Sequence, residues 1–445
     1  MVNKNVLELI ETKYKVEDVV LSNGMSAWPL LRQAVYFNIQ NKELGYSNKL
    51  RTRNKYQLFK NIFYGVKNIF RLKKFDYIFF NNTQKREFLN GKLFDIYADA
   101  WADRLGQDNS LFIEWATTHH YSKEKAHSQH IISDLILKAF SFFYKPFISF
   151  KIKNENVLNE ILEEHGINLP YRKIIKSNLA EFKGYRFLFR KAKPKAIFIL
   201  SSFTKAGICN AAKKLNIPLY EFQHGYIGAG HPFYHAVKKF PEFYPDYLIS
   251  FGFSEKVTNY KSLIFSAEKI LPVGSLQLEL IKQKSIPKSL LDLTNKYKIC
   301  FCVTLQAIKD ENILKWIEYE AQIHKNWLFI VRPKQPDFNL SLYVNEKNIM
   351  VLPEFSTYEV LKSCDYNISI FSTTVIEGIF LETKPILYNI DGLPAKYFDI
   401  SEGDIAILEP GEKITEEHLF KKGTFEIAYF EEDYFKNVER TKLCF

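Results

Sequence analysis

From residue 77 onward the chain alternates short, unbroken apolar runs with amphipathic segments, and this alternation limits the fold more than any other feature. "DYIFF" (76–80), "SLFIEW" (110–115), "AIFIL" (196–200), "IPLYEF" (217–222), "DYLISF" (246–251) and "KILPV" (269–273) read as strands. "TKAGICNAAKKLN" (204–216) reads as a helix between two of them. Strands that are apolar at every position must be covered on both faces, which predicts a parallel sheet flanked by helices. Between the first two strands, "NNTQKRE" (81–87) is expected to be a polar loop, followed by a helical stretch ending near Gly106. A helical region is expected over about 124–185.

The pattern restarts at "KICFCVTL" (298–305) and continues through "WLFIVRP", "NIMVL", "YNISIF" and "KPILYN", with helices at "DENILKWIEYEAQIH", "STYEVLKSC" and "TTVIEGIFLE". The expected fold class is therefore α/β, with two Rossmann-type domains whose parallel sheets face an interdomain cleft. The expected division is 1–75, a basic helical extension packed on the first domain; 76–275, the first domain; 276–295, a polar linker; 296–410, the second domain; and 411–445, a helical segment crossing back. A length of 445 residues suits two cores better than one.

Five cysteines, odd in number and scattered, form no disulfide framework or zinc ribbon, and a reducing cytoplasm is expected. Cys300 and Cys302 alternate along one strand and point to one buried face. No signal peptide or membrane-spanning run is evident, so a soluble or peripheral protein is expected. A net charge of +11 favours an anionic partner. Much of it lies in 49–75, which holds nine Lys or Arg and no acid, with Leu58, Ile62, Val66, Ile69 and Phe70 at helical spacing. Two readings stand: a surface helix packing its apolar stripe on the first domain, or a helix lying on an anionic inner-membrane surface. Nucleic acid is not expected, because the aromatic residues fall on the apolar stripe instead of interleaving with the cations.

In parallel sheets ligands bind beyond the carboxyl ends of strands. Three stretches stand there. "EFQHGYIGAGH" places Gln223, His224 and Gly225 at the cleft edge, with His231 a few residues on. An imidazole suits a general base, and Gly225, Gly228 and Gly230 would allow positive φ. "IFSTTVIEG" supplies the hydroxyls of Ser372, Thr373 and Thr374 for phosphate, with Glu377 for ribose hydroxyls; Thr374 and Glu377 equally form a capping box. "VRPKQPDF" places Arg332 and Lys334 where they would neutralise a diphosphate or stand in solvent. Gly274 in "LPVGS" is a weaker strand-to-loop signal. "THHYSKEKAHSQH" lacks a carboxylate partner at metal-binding spacing, and no metal or other cofactor is expected.

"QHG" (223–225), "HPFY" (231–234), "PVGS" (272–275) and "STTVIEG" (372–378), with "NGMSAWPLLRQAVY" (23–36) and "REFLNGKLFDIYAD" (86–99), resemble bacterial surface-polysaccharide glycosyltransferases of the GT-B fold. The nearest group is capsular, with relatives among polysialyl-, Kdo- and teichoic-acid-type transferases. The resemblance implies a nucleotide-sugar donor held by the second domain, at Ser372–Thr374 and Glu377. It implies a glycan or lipid-linked glycan acceptor approaching from the first domain, with His224 as base or orienting group. Relatives often carry His-Pro where this chain reads "RPKQP", so Lys334 stands in for that histidine or its role is lost. Other readings of the same cleft are a polyol-phosphate transferase, a sugar-nucleotide epimerase needing cleft carboxylates (Glu221 being the near candidate), and a non-catalytic nucleotide-sugar-binding protein.

Overall fold

The structure is a computed structural model that describes residues 5–44, 55–228, 230–254, 261–334, 338–398, 405–420 and 429–445. Strands β1 (Tyr77–Asn82), β2 (Ser110–Trp115), β3 (Ile131–Ser133), β4 (Ala196–Leu200), β5 (Leu219–Phe222), β6 (Tyr247–Ser250) and β7 (Ile270–Pro272) form one sheet. Its order is β3-β2-β1-β4-β5-β6-β7, with every pair parallel. Strands β8 (Ile299–Thr304), β9 (Trp327–Arg332), β10 (Ile349–Met350), β11 (Tyr366–Ser369), β12 (Lys384–Tyr388) and β13 (Ala406–Leu408) form a second, also all parallel, in the order β10-β9-β8-β11-β12-β13. Counted from its own first strand, the second sheet runs 3-2-1-4-5-6, the doubly wound order, and the first runs the same way with a seventh strand added beside the sixth. The strand order reverses beside β1 and β4 in the first sheet, and beside β8 and β11 in the second. Two Rossmann-type halves in the GT-B-like layout follow directly from the fully buried strands that the apolar runs demanded.

The helices used below are α1 (Val6–Lys13), α2 (Trp28–Leu44), α3 (Lys55–Ile62), α4 (Asp134–Tyr144), α5 (Tyr171–Ala192), α6 (Ala206–Lys213), α7 (Leu276–Gln283), α8 (Lys288–Thr294), α9 (Thr374–Phe380) and α10 (Tyr434–Arg440). The expected linker is thus two short helices, α7 and α8. At the other end of the chain, α10 lies on the first half: Tyr434 and Val438 join the core under that sheet, and Arg104 Nη1 donates to the Val438 carbonyl.

Three expectations are corrected. "REFLNGKLFD" is a β-hairpin, Arg86–Leu89 against Lys92–Asp95, turning on Asn90 (φ 49°) and Gly91 (φ 79°). Asn-Gly favours that turn because both residues tolerate positive φ. The region 124–185 is not wholly helical: it carries β3 and Ile152–Lys153, which pairs antiparallel with Val20–Leu21. The basic stretch is not one helix. Its first residues, 49–54, lie outside the described residues; α3 then ends before Gly65 (φ 71°), and a 3-10 helix follows over Val66–Lys74. A Cβ on Gly65 would stand 1.8 Å from the Ile131 carbonyl oxygen, so the chain breaks direction where only glycine fits. Beyond the break Phe70 is 87% exposed, and Asn68 and Leu72 are buried in its place.

The N-terminal helices build a core of their own with α5 and the segment 233–243; Leu7, Ile10, Trp28, Leu31, Val35 and Phe233 are among its members. Inside it lies a buried ion pair. Arg32 Nε donates to Glu11 Oε1 at 2.7 Å, and the same carboxylate accepts from Trp28 Nε1 (2.9 Å) and the Val237 amide (2.8 Å). The other two guanidinium nitrogens donate to the carbonyls of Pro232 and His235. Breaking such a pair strands one buried charge. Arg32→Met and Glu11→Gln should each cost about 3–5 kcal/mol, read as a lower urea midpoint at unchanged slope. Arg32→Lys should not restore the midpoint, because one ammonium cannot address three divergent acceptors.

Candidate active site

The carboxyl ends of both sheets open on the space between the halves. A cavity of about 490 Å³ lies there, at the reversal point of the second sheet. The first half contributes His224, Gly225 and His231 to its wall, and the second contributes Ser372, Thr373, Thr374 and Glu377. The sequence-derived stretches after β5 and after β11 therefore meet. A Cβ built on Gly225 would lie 3.7 Å from Thr373 Oγ1.

His224 follows β5 and is half-buried. Its Nε2 lies 3.3 Å from Ser201 Oγ, and its Nδ1 is buried without a hydrogen-bond partner. Burial, reinforced by the cations Lys85 and Lys205, lowers its pKa to about 4. The ring is thus neutral at physiological pH, with an uncommitted nitrogen. His231 is lowered further, to about 3, by burial and then by its neighbours His224 and His235. Its Nδ1 accepts the Phe233 amide at 3.3 Å, which assigns the proton to Nε2.

Glu377 is pushed up to about 7 by burial, while a hydrogen bond from Tyr358 Oη (3.1 Å to Oε2) and the charge of Lys85 pull the other way. It takes no part in a capping box. Thr374 Oγ1 instead meets Thr304 Oγ1 at 2.9 Å, tying α9 to the end of β8, and Ser372 Oγ accepts the Thr374 amide. A capping box does form one helix earlier, between Ser356 and Glu359.

Six other residues are placed differently from their expected roles. Gln223 is 1% exposed and its amide is spent within the fold. Nε2 donates to the Gly225 carbonyl (3.0 Å) and to Tyr429 Oη (2.7 Å), and Oε1 accepts the Phe251 amide (2.7 Å). It braces the QHG turn and is not a catalytic candidate. Arg332 turns away from the cavity to hold the 352–355 loop, donating to the carbonyls of Leu352 (2.5 Å) and Phe355 (2.8 Å). Gly274 (φ 108°) is needed for packing: a Cβ there would stand 2.4 Å from the Glu431 carbonyl oxygen. Lys334 acts electrostatically on Asp310 and is absent from the cavity wall. Gly228 and Gly230 are placed by close packing. Their Cβ atoms would meet the Tyr397 and Lys396 carbonyl oxygens at 2.9 and 1.7 Å, so they seat the loop against the second half.

Sequence reasoning missed Lys85, whose charge reaches both His224 and Glu377 from the turn after β1. The rule of searching carboxyl ends of strands covers that turn. It also missed Ser201, which ends β4 in the left-handed region (φ 55°) with its hydroxyl toward His224. Glu221 is not a cleft carboxylate. It is wholly buried, accepting from the Ser202 amide and Tyr234 Oη at 2.9 Å each. Among the described residues no group of three or more His, Cys, Asp or Glu is placed to hold a metal ion.

No family model and no curated protein sequence matches the chain. Solved structures resemble it weakly. MnaA of S. aureus, in a co-structure with UDP, is 11% identical over 81% of this chain and 93% of its own, with a TM-score of 0.46. The calicheamicin glycosyltransferase CalG4 is 11% identical over 82% and 93%, at 0.45. MurG of Acinetobacter baumannii is 12% identical over 77% and 88%, at 0.40. At these values the likeness carries no weight for function, and the architecture stands on this chain's own two sheets.

Glu377 holds its proton more tightly in the folded chain than in the unfolded one. Its stability contribution is therefore fully present below the ordinary carboxylate range and lost as pH rises through about 7. Glu377→Gln should raise the melting point at pH 8, by an equivalent on the order of 2 kcal/mol, and leave it nearly unchanged near pH 4.5. An equal difference at both pH values would show that burial does not hold this carboxyl.

Proposed function

We propose that the chain is a glycosyltransferase that moves a sugar from a nucleotide-activated donor to a growing surface polysaccharide of capsule or O-antigen type. The observation that carries the reading is the single cavity in which a neutral imidazole from one half faces three hydroxyls and a carboxyl from the other. In this reading Ser372, Thr373, Thr374 and Glu377 hold the nucleotide end of the donor. Lys85 offsets the charge of the leaving phosphate, the role that sequence reasoning gave to Arg332 and Lys334. His224, which lines the cavity, takes the proton from an acceptor hydroxyl as that hydroxyl's oxygen bonds to the anomeric carbon. The bond from that carbon to the donor phosphate oxygen breaks, and the nucleotide leaves with the electron pair. The reading calls for no metal, since the hydroxyls of Ser372, Thr373 and Thr374 stand in the cavity wall and the charge of Lys85 reaches it from the turn after β1.

The acceptor is proposed to be a glycan or lipid-linked glycan met at the cytoplasmic face of the membrane. Phe59, Phe63 and Phe70 stand exposed near Lys60, Lys67, Arg71, Lys73 and Lys74, a mixture that supports docking on an anionic surface. No helix among the described residues is long and apolar enough to cross a membrane.

A second reading, a sugar-nucleotide epimerase, is favoured by one observation. Glu377 titrates near neutrality in the cleft, as a proton-transferring carboxyl should.

A thermal-shift screen of CMP, CDP, UDP and GDP should find one nucleotide that stabilises the fold, by about 2.7 kcal/mol at one hundred times its dissociation constant. With the matching donor, His224→Ala should lower transfer about 10²–10⁴-fold and leave that shift intact. Wild-type transfer by His224→Ala would remove the catalytic assignment. Epimerisation of the donor by the unaltered chain without acceptor, followed by NMR, would select the second reading.

A further inference from the structure

The first sheet has a cavity at its own reversal point, which the reading above leaves unused. About 370 Å³ of space lies beyond the ends of β1, β2 and β4, walled by Asn81, Trp115, Asp134, Glu181, Ser201 and Thr204. This is the place where a doubly wound sheet binds ligands, and the volume is that of a ligand pocket. A neighbouring hollow of about 340 Å³ shares Lys138, Glu181 and Thr204 with it and reaches Phe142 and Lys145 on the surface.

The polar groups of the wall are sorted by what they lack. Lys205 spends its ammonium on the Leu200 and Ser201 carbonyls and the Thr204 hydroxyl, and Lys138 spends its own on Asp134 Oδ2. Both cations are thus turned onto protein acceptors. Asp134 is 6% exposed, and its Oδ1 has no hydrogen-bond partner. Glu181 accepts no hydrogen bond from the described residues, and burial pushes it up to about 7. A wall with satisfied donors and unsatisfied acceptors is short of hydroxyl groups, not of anions. Trp115 adds an aromatic surface with which the apolar face of a sugar ring can pack.

The two cavities meet at Ser201. It lines the one, and its hydroxyl lies 3.3 Å from Nε2 of His224, which lines the other. Its left-handed backbone is the strained conformation that such a position selects.

We propose that this second cavity is a saccharide site, taking uncharged, hydroxyl-rich sugar units through Asp134, Glu181 and Trp115. On the transferase reading, which this assignment deepens, those units belong to the acceptor, and Ser201 positions His224 in response to their presence.

The test uses the full chain and named probes: the methyl glycosides of glucose, galactose, N-acetylglucosamine and N-acetylgalactosamine with their β-linked disaccharides, and glycerol 3-phosphate as the anionic control. Tryptophan fluorescence and thermal shift are read. At least one sugar should bind saturably while glycerol 3-phosphate does not. Glu181→Gln should weaken that sugar at least about tenfold. Thr204→Trp should abolish it by filling the mouth from an exposed position, leaving the nucleotide shift unchanged. No saturable sugar binding, preference for the phosphate, or sugar binding untouched by both variants overturns the site. Nucleotide binding without sugar binding would leave the transferase reading standing and sink this one; sugar binding without any nucleotide shift would do the reverse.

Discussion

The Glu11–Arg32 pair holds the N-terminal helices to the loop that walls the cleft. Two charges removed from water must recover their hydration from each other and from fixed dipoles. Here the carboxylate collects the guanidinium, an indole N–H and a backbone amide, and the guanidinium collects two carbonyls on the far side. Those carbonyls belong to Pro232 and His235, which flank the aromatic pair Phe233–Tyr234, so the pair fixes the course of the chain beyond His231. Tyr36, one turn along α2 from Arg32, lines the same cavity. Through Tyr36, helix α2 is therefore part of the wall of the candidate site.

Within that wall, burial sets the protonation states. It keeps His224 and His231 neutral and raises Glu377 toward neutrality. The cations near His224 act in the same direction as desolvation, whereas Lys85 works against it at Glu377. One side chain thus pushes the imidazole toward its neutral form and the carboxyl toward its charged form. A base and a hydroxyl acceptor are the forms that sugar transfer would use.

Legibility from sequence followed how local the cause was. The strands were legible because burial on both faces makes most of their residues apolar, and the strand-end rule then found His224 and Ser372–Glu377. The hairpin at Asn90–Gly91 carried a local signal that a helical reading passed over. The roles of Gln223 and Arg332 were not legible, because the groups that occupy them, the Tyr429 hydroxyl, the Phe251 amide and the Leu352 and Phe355 carbonyls, are distant in the chain or on another turn. Glu11 and Arg32 left only a faint trace, a charge on the apolar face of each helix, since their value depends on a loop two hundred residues away. The basic stretch misled through its periodicity: Gly65 breaks the register, and Phe70 falls outside it.

The return of the tail to the first half has a mechanical consequence. The chain joins the halves once through α7 and α8 and again over the stretch from Tyr429, whose hydroxyl receives Gln223, to α10, which packs beneath the first sheet. A body tethered at one point can swivel in every direction; one tethered at two points is left with a single axis running through both. Widening and narrowing of the groove would then follow one arc, keeping the QHG turn opposite the threonines of the second half at every stage.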